Sequence, residues 1–308
     1  MLFSPIRQTI EFDHGADHLV GDLFLPQTAS DARPVPAVVL VAGSGPGSRR
    51  WEDIGERFTA AGLAVYSYDK PGVGESSGDW TRQTIFDRAA ETRGAVTAVG
   101  AVPGVDAGKV ALFGGSQGGW VAPLAAAGSE IAAVCFFSGP GVTVAENEQW
   151  QIEHRGRAEG YSEDEIAAAL ALFQRLVQRL RAGDDAHDII ASETAALGEP
   201  WSRIVEIASV EELNFFAGIA DYNPVPALEA LRCPLLAVYG SADVYVPVQA
   251  SIAALEAAFA RSGHTEHEIV IFDGADHGIR TPDPQTGQPR RAPGFFELVV
   301  TWLCRVLR

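Results

Sequence analysis

The 308-residue chain has three cysteines, Cys135, Cys233 and Cys304. An odd, widely spaced set suits buried or free thiols in a reducing compartment better than a disulfide framework, so a cytoplasmic protein is expected. No Cys/His cluster has zinc-site spacing, and no metal is expected. No apolar run approaches the roughly 18 residues of a membrane span. The segment Met1-Leu2-Phe3-Ser4-Pro5-Ile6-Arg7 lacks the basic-then-apolar order of a signal peptide. Positive charge is also scarce: Lys and Arg number 23 against 40 Asp and Glu, a net charge of -17. That sign repels nucleic-acid phosphates and anionic membrane surfaces, so neither is expected as a partner. The acidic residues are spread along the chain rather than gathered into a tail, which fits solubility. There is no internal repeat and no low-complexity tract.

What is present is ample apolar material, 47% of residues, in an alternating pattern. Gln8–Phe12 and Leu19–Leu25 read as a hairpin. Ala37–Val41, Leu63–Tyr68, Val110–Phe113 and Ala132–Phe137 read as short buried strands. Between them, Trp51–Ala61, Ile85–Val99 and Gln117–Ala127 read as helices. This alternation predicts βαβ units and a mostly parallel α/β sheet with helices on both faces. From about Val142 to Ile219 the chain reads as helices alone, with Ile166, Leu170, Phe173, Leu176, Val177 and Leu180 at helical spacing. Strands resume at Leu235–Tyr239 and Glu268–Phe272, followed or flanked by helices at Val248–Ala260 and Pro293–Val306. The simplest organisation is one α/β domain with a helical insertion after its sixth strand.

Gly114-Gly115-Ser116-Gln117-Gly118 fits G-x-S-x-G between a strand and a helix. A serine on such a turn has its hydroxyl pushed out of the sheet, and small neighbours let strand and helix approach. A serine hydroxyl needs a base, and the base needs an acid to fix its tautomer. In a doubly wound sheet those groups belong beyond the C-terminal ends of later strands. Asp243 follows strand Leu235–Tyr239, and His277 follows strand Glu268–Phe272. A strand-end aspartate often serves only as a turn or cap residue, and a loop histidine is often merely solvated. The order Ser116, Asp243, His277 at three strand ends nevertheless matches what a nucleophile elbow requires. Asp273 and Asp276 are expected to shape the loop of His277, and the other six histidines to lie on the surface. Two backbone N–H groups would hold a developing oxyanion: that of Gln117, and that of Ser44 in the loop Ala42-Gly43-Ser44-Gly45-Pro46-Gly47.

These residues, with Ala37–Pro46, Tyr68–Ser76, Cys233–Pro247 and Gly274–Gly278, resemble the α/β-hydrolase superfamily, especially its serine esterase and aminopeptidase-like branch. The resemblance implies an eight-stranded, mostly parallel sheet, with residues 1–141 and 224–308 as the core and 142–223 as a helical cap. It implies Ser116 as nucleophile, Asp243 as acid, His277 as base, and the amides of Ser44 and Gln117 as the oxyanion hole, with no cofactor. Relatives often carry His-Gly where this chain has Ala42-Gly43. A small-molecule carboxylic ester is the expected substrate. Trp120, Trp150, Phe215 and Phe216 are candidate contacts, although such aromatics also serve simply to pack cap helices. Two other readings stay open. A peptide or amide hydrolase would want a carboxylate for a substrate α-amine, with Glu146, Glu148 and Glu153 available, and a non-catalytic binding module could use the same scaffold. Gly43–Ser48 followed by Asp69 also resembles a dinucleotide-binding βαβ, with Pro46 intruding and Ser48 in place of the third glycine.

Overall fold

The computed structural model describes residues 5–49 and 51–308. Met1 to Ser4, where the reading of the N-terminus begins, lie outside them.

Strands β1 (Ile6–His14) and β2 (Asp17–Leu25) form the expected hairpin, closed at Gly15 in a left-handed conformation. The chain continues through β3 (Val35–Val41), α1 (Glu52–Ala60), β4 (Ala64–Tyr68), α2 (Ile85–Gly100), β5 (Val105–Gly115), α3 (Gly118–Ala126) and β6 (Ala133–Phe137). Helices α4 (Val144–Ala158), α5 (Glu163–Ala182), α6 (Ala186–Ser192), α7 (Thr194–Leu197), α8 (Val210–Ile219) and α9 (Val225–Ala230) then precede β7 (Leu235–Gly240). Helix α10 (Val248–Ser262), β8 (His267–Phe272), a ribbon of β9 (Arg280–Pro282) and β10 (Pro289–Arg291), and α11 (Phe295–Val306) complete it.

The eight strands lie in the order β1-β2-β4-β3-β5-β6-β7-β8. The β1–β2 and β2–β4 pairs are antiparallel, and every pair from β4 to β8 is parallel. This is the α/β-hydrolase fold. Period-two geometry explains why the central strands are apolar throughout. In β3, Ala37, Val39 and Val41 enter the core on one face, and Val38 and Leu40 the core on the other. The first face is covered by α2, α3 and α10. The second is covered by α1 and α11, through Ile54, Phe58, Phe295, Val299, Trp302 and Leu303. Phe58 has no exposed surface and meets Phe113 at 5.8 Å. Burying a side chain of that size stabilises the fold by about 1.5–3 kcal/mol.

Between β6 and β7, helices α4, α5, α6 and α8 start at side-chain caps. Thr143 and Ser162 each accept from the amide three residues on, while Glu146 and Glu165 reach back to the cap, and Gly183 ends α5 in a left-handed conformation. These reciprocal bonds satisfy amides that a helix start leaves unpaired. Ile166, Leu172, Phe173 and Leu176 of α5 belong to the same continuous hydrophobic cluster as the first sheet face, so the insertion shares a core with the domain rather than standing apart.

The topology also fixes where a site can form. From β3 the chain crosses to β4 on one side, and from β5 it crosses to β6 on the other. The loops leaving β3 and β5 therefore diverge and open a crevice at the strands' C-terminal ends. Register puts Val41 beside Gly114, so the loop from Ala42 and the turn at Ser116 flank that crevice.

Candidate active site

Ser116 has φ +53°, a left-handed conformation that costs a non-glycine residue about 1–2 kcal/mol. Its amide donates to Phe137 O at 3.0 Å, and its carbonyl accepts from Gly119 N at 2.7 Å. The flanking glycines are required by contact. A methyl group at 118 would lie 2.3 Å from Val41 O, and one at 119 would lie 2.3 Å from Gly139 Cα. The turn thus presses α3 against β3 and β6 and lifts Ser116 to the crevice.

Asp243 follows β7, with its carboxylate fully shielded from solvent. Oδ1 accepts from the amides of Tyr245 (2.8 Å) and Val246 (3.1 Å). Oδ2 lies 2.9 Å from Nδ1 of His277. His277 follows β8 in a loop held by Asp276, whose Oδ1 accepts from Gly278 N and Arg280 N, and by Asp273, which accepts from Ser241 Oγ. The expected role of these two aspartates matches that geometry. The Tyr245 ring, unremarked in the sequence, stands 5.1 Å from the imidazole.

Ser116 and His277 border one cavity of about 510 Å³, together with Ser44, Gly45 and Gln117. Gly43 packs against the serine: a Cβ built on it would lie 3.4 Å from Ser116 Cβ. Two buried basic side chains hold this loop by its carbonyls. Lys70 Nζ donates to Gly43 O (2.6 Å) and Gly45 O (2.8 Å), and Arg88 donates to Ala42 O (2.8 Å), Gly43 O (3.3 Å) and Gln117 Oε1 (2.6 Å). In a trans peptide the N–H opposes the preceding C=O. With the Gly43 carbonyl turned to Lys70, the Ser44 N–H is turned the opposite way.

Burial, aided by the charge of Arg88, pushes the Lys70 ammonium down to about 6. Neither basic residue was foreseen as part of the site. Arg88 left a signal, since it falls on the stripe Ile85, Arg88, Ala89, Thr92 and Ala95 that α2 buries. Lys70→Met should cut kcat by about tenfold to a hundredfold and leave KM within about threefold, because the amide loses its aim rather than the substrate its pocket. Steady-state kinetics on folded variant would check this, and a raised KM at unchanged kcat would refute it.

The rest of the cavity wall comes from the helical insertion and its neighbours. Trp120, Phe215 and Phe216 border it, and Trp80, Tyr245, Asn147, Glu148, Glu206 and Glu212 do so as well. Trp150 is outside the lining. On α4 the cavity takes Val144, Asn147, Glu148 and Gln151, and at 100° per residue Trp150 points well away from that arc. Its indole stacks on His154 at 3.3 Å instead. The same rotation takes Glu146 and Glu153 out of the lining and leaves Glu148 in it. Burial and the nearby charge of Glu206 push the Glu148 carboxyl up to about 7.

Asp69, the carboxylate of the dinucleotide-binding reading, is 4% exposed and is used by Arg49 N (2.8 Å) and Glu75 N (3.3 Å). A ribose would have to displace both. Among the described residues no group of three or more His, Cys, Asp or Glu could hold a metal ion, and no helix is long and apolar enough to cross a membrane.

Comparison with known proteins bears on the fold and the family. No curated protein shows significant similarity to the chain. Among solved structures, DcsB in complex with its substrate analogue is similar at 20% identity and TM-score 0.61, over 98% of each chain. A putative dienelactone hydrolase from Klebsiella pneumoniae is similar at 15% identity and TM-score 0.62, covering 98% of this chain and 100% of that one. The acylaminoacyl peptidase of Pyrococcus horikoshii gives 15% identity and TM-score 0.62 over 98% of this chain, which spans 42% of the peptidase. At these identities the likeness is one of fold. The model of the alpha/beta hydrolase family, however, matches residues 38–290, from within β3 to beyond His277. The chain belongs to the alpha/beta hydrolase family.

Proposed function

We propose that the protein is a serine hydrolase that cleaves a small carboxylic ester through an acyl-enzyme. The observation that carries this reading is a left-handed Ser116 on the same cavity as His277, whose Nδ1 is bonded to a buried carboxylate. Ser116 Oγ attacks the ester carbonyl carbon while His277 Nε2 takes its proton, and Asp243 stabilises the imidazolium. The N–H groups of Ser44 and Gln117 hold the oxyanion. When the tetrahedral species collapses, the alkoxide leaves with the proton from His277. Water then attacks the acyl group in the same way and releases the acid and free Ser116.

Residues 142–223 act as the cap, supplying the wall opposite the elbow through α4 and α8. The peptide or amide reading keeps one specific support, Glu148 on the cavity wall, and within this scheme it changes only the leaving group. A fluorophosphonate probe should label Ser116 in the native protein and fail to label it after heat denaturation, read by peptide mass spectrometry. A panel of p-nitrophenyl esters and aminoacyl anilides should then show turnover, with esters ahead. Absence of both labelling and turnover would favour a binding module instead.

A further inference from the structure

The cavity is lined unevenly. Around His277 its groups are polar and tied to one another. Tyr245 stands 5.1 Å from the imidazole, Arg155 lies over the Tyr245 ring at 5.8 Å, and Arg155 and Gln151 both donate to Glu206. Beside the oxyanion loop the lining is aromatic. Trp80 opens a short 3₁₀ turn ahead of α2, and its ring centroid is 5.5 Å from Lys70 Nζ, which bonds Gly43 O and Gly45 O. Phe215 of α8 meets Trp80 edge-on at 5.3 Å, a favoured geometry for two rings.

That pair also marks a boundary. Phe215 borders a second space of about 390 Å³, together with Asp79, Thr81, Glu211, Asn214 and Gly218. Trp80 borders the catalytic cavity, while Asp79 and Thr81, on either side of it in the chain, border the second space. The two rings therefore stand between the catalytic cavity and an outer groove lined largely by polar groups. Both are held in place. Trp80 N donates to Pro71 O at 2.9 Å, and Asp79 accepts from Thr81 N at 3.0 Å. Leu213, Phe216 and Ile219 bury the face of α8 that anchors Phe215, which is itself only half-buried.

The chemistry assigns the two regions. A leaving oxygen takes its proton from His277, so it lies on the imidazole side. The acyl group extends from the carbonyl carbon in another direction, and the apolar lining open to it is the one beside the oxyanion loop. We propose that Trp80 and Phe215 form the end wall of an acyl subsite, so that the substrate carries an apolar acyl group of limited length. The division into acyl and leaving group rests on the hydrolase reading; the wall does not.

The test compares two ester series, each profile taken relative to the same protein's rate on its shortest member. One varies the acyl chain from two to ten carbons with p-nitrophenol as leaving group. The other varies a linear alcohol over the same range as its acetate. In the wild type kcat/KM should fall at least about tenfold where the acyl chain meets the wall, the discrimination a hydrophobic pocket shows against a methylene it cannot hold. Phe215→Ala should move that fall at least about two carbons along the series, or remove it, because the tail then passes into the outer groove. The alcohol series should keep its profile. Trp80→Leu should give the same displacement if the first variant does not fold. A wild-type acyl series without a fall, a fall at the same length in the variant, or a displacement in the alcohol series instead overturns the subsite. Calorimetric titration of 2-alkanones of increasing length into Ser116→Ala, with and without Phe215→Ala, reads the length limit without turnover. A protein that hydrolyses esters with no such limit loses the subsite alone. One that shows the limit and its displacement with ketones but hydrolyses nothing loses the hydrolase reading alone.

Discussion

Ser116→Ala should lower kcat on the best ester of the panel by about 10⁴- to 10⁶-fold while leaving the far-ultraviolet circular dichroism spectrum and the melting temperature nearly unchanged. The size of the loss follows from what remains. Ser44 and Gln117 still border the cavity, and His277 still has Asp243, so a bound ester could be attacked only by water. Hydrogen-bond donors and binding alone sustain some residual rate over bulk solvent, which is why the expected loss stops short of complete. Stability should hardly move, because alanine and serine pay the same left-handed penalty at φ +53° and Gly118 and Gly119 keep their contacts. Initial rates over a substrate series, with a check for trace wild-type enzyme by fluorophosphonate titration, give the answer. Turnover within tenfold of wild type would remove Ser116 from the chemistry.

Asp243→Asn should cost about 10⁴-fold in kcat with little change in structure. The local bonding dictates why. The amides of Tyr245 and Val246 both point at Oδ1, so an asparagine must keep its carbonyl oxygen there. Its NH₂ then replaces Oδ2 and donates to His277 Nδ1. That imidazole carries its proton on Nε2 and has no lone pair to offer Ser116. The variant holds the base in place and in the wrong tautomer, so kcat should fall while KM for a neutral ester stays within about threefold. Imidazole proton resonances would report the switched tautomer directly. If the variant retains a tenth or more of wild-type activity, His277 does not act through Asp243.

Much of this arrangement could be read before any coordinates. The strands that carry Ser116, Asp243 and His277 are short apolar runs bounded by Gly, Asp or Pro, and that punctuation is local. Their parallel register follows from helical connections of sufficient length. Strand β5 begins earlier than expected, at Val105, because that residue pairs with Val35 ahead of the apolar run. The ribbon of β9 and β10 was not foreseen: each strand has three residues and includes a proline, which reads as loop.

The cavity wall was the harder part, and Trp150 shows why. Helical periodicity gives the angle between residues on α4 but not which side of that helix meets the sheet. That choice is made by distant partners, so Trp150 and Glu148 were equal candidates until the helix was docked. Lys70 and Arg88 were hidden for another reason. Charged side chains are normally assigned to solvent, and the carbonyls of Ala42, Gly43 and Gly45, with Gln117 Oε1, make a buried position tolerable for them.

The backbone at Ser116 has an evolutionary consequence. Glycine would occupy that dihedral without penalty, so a lineage selected for thermal robustness alone would drift toward it there. Serine at this position is a standing cost of about a kilocalorie or more, and only a benefit that requires the hydroxyl can hold it against that drift.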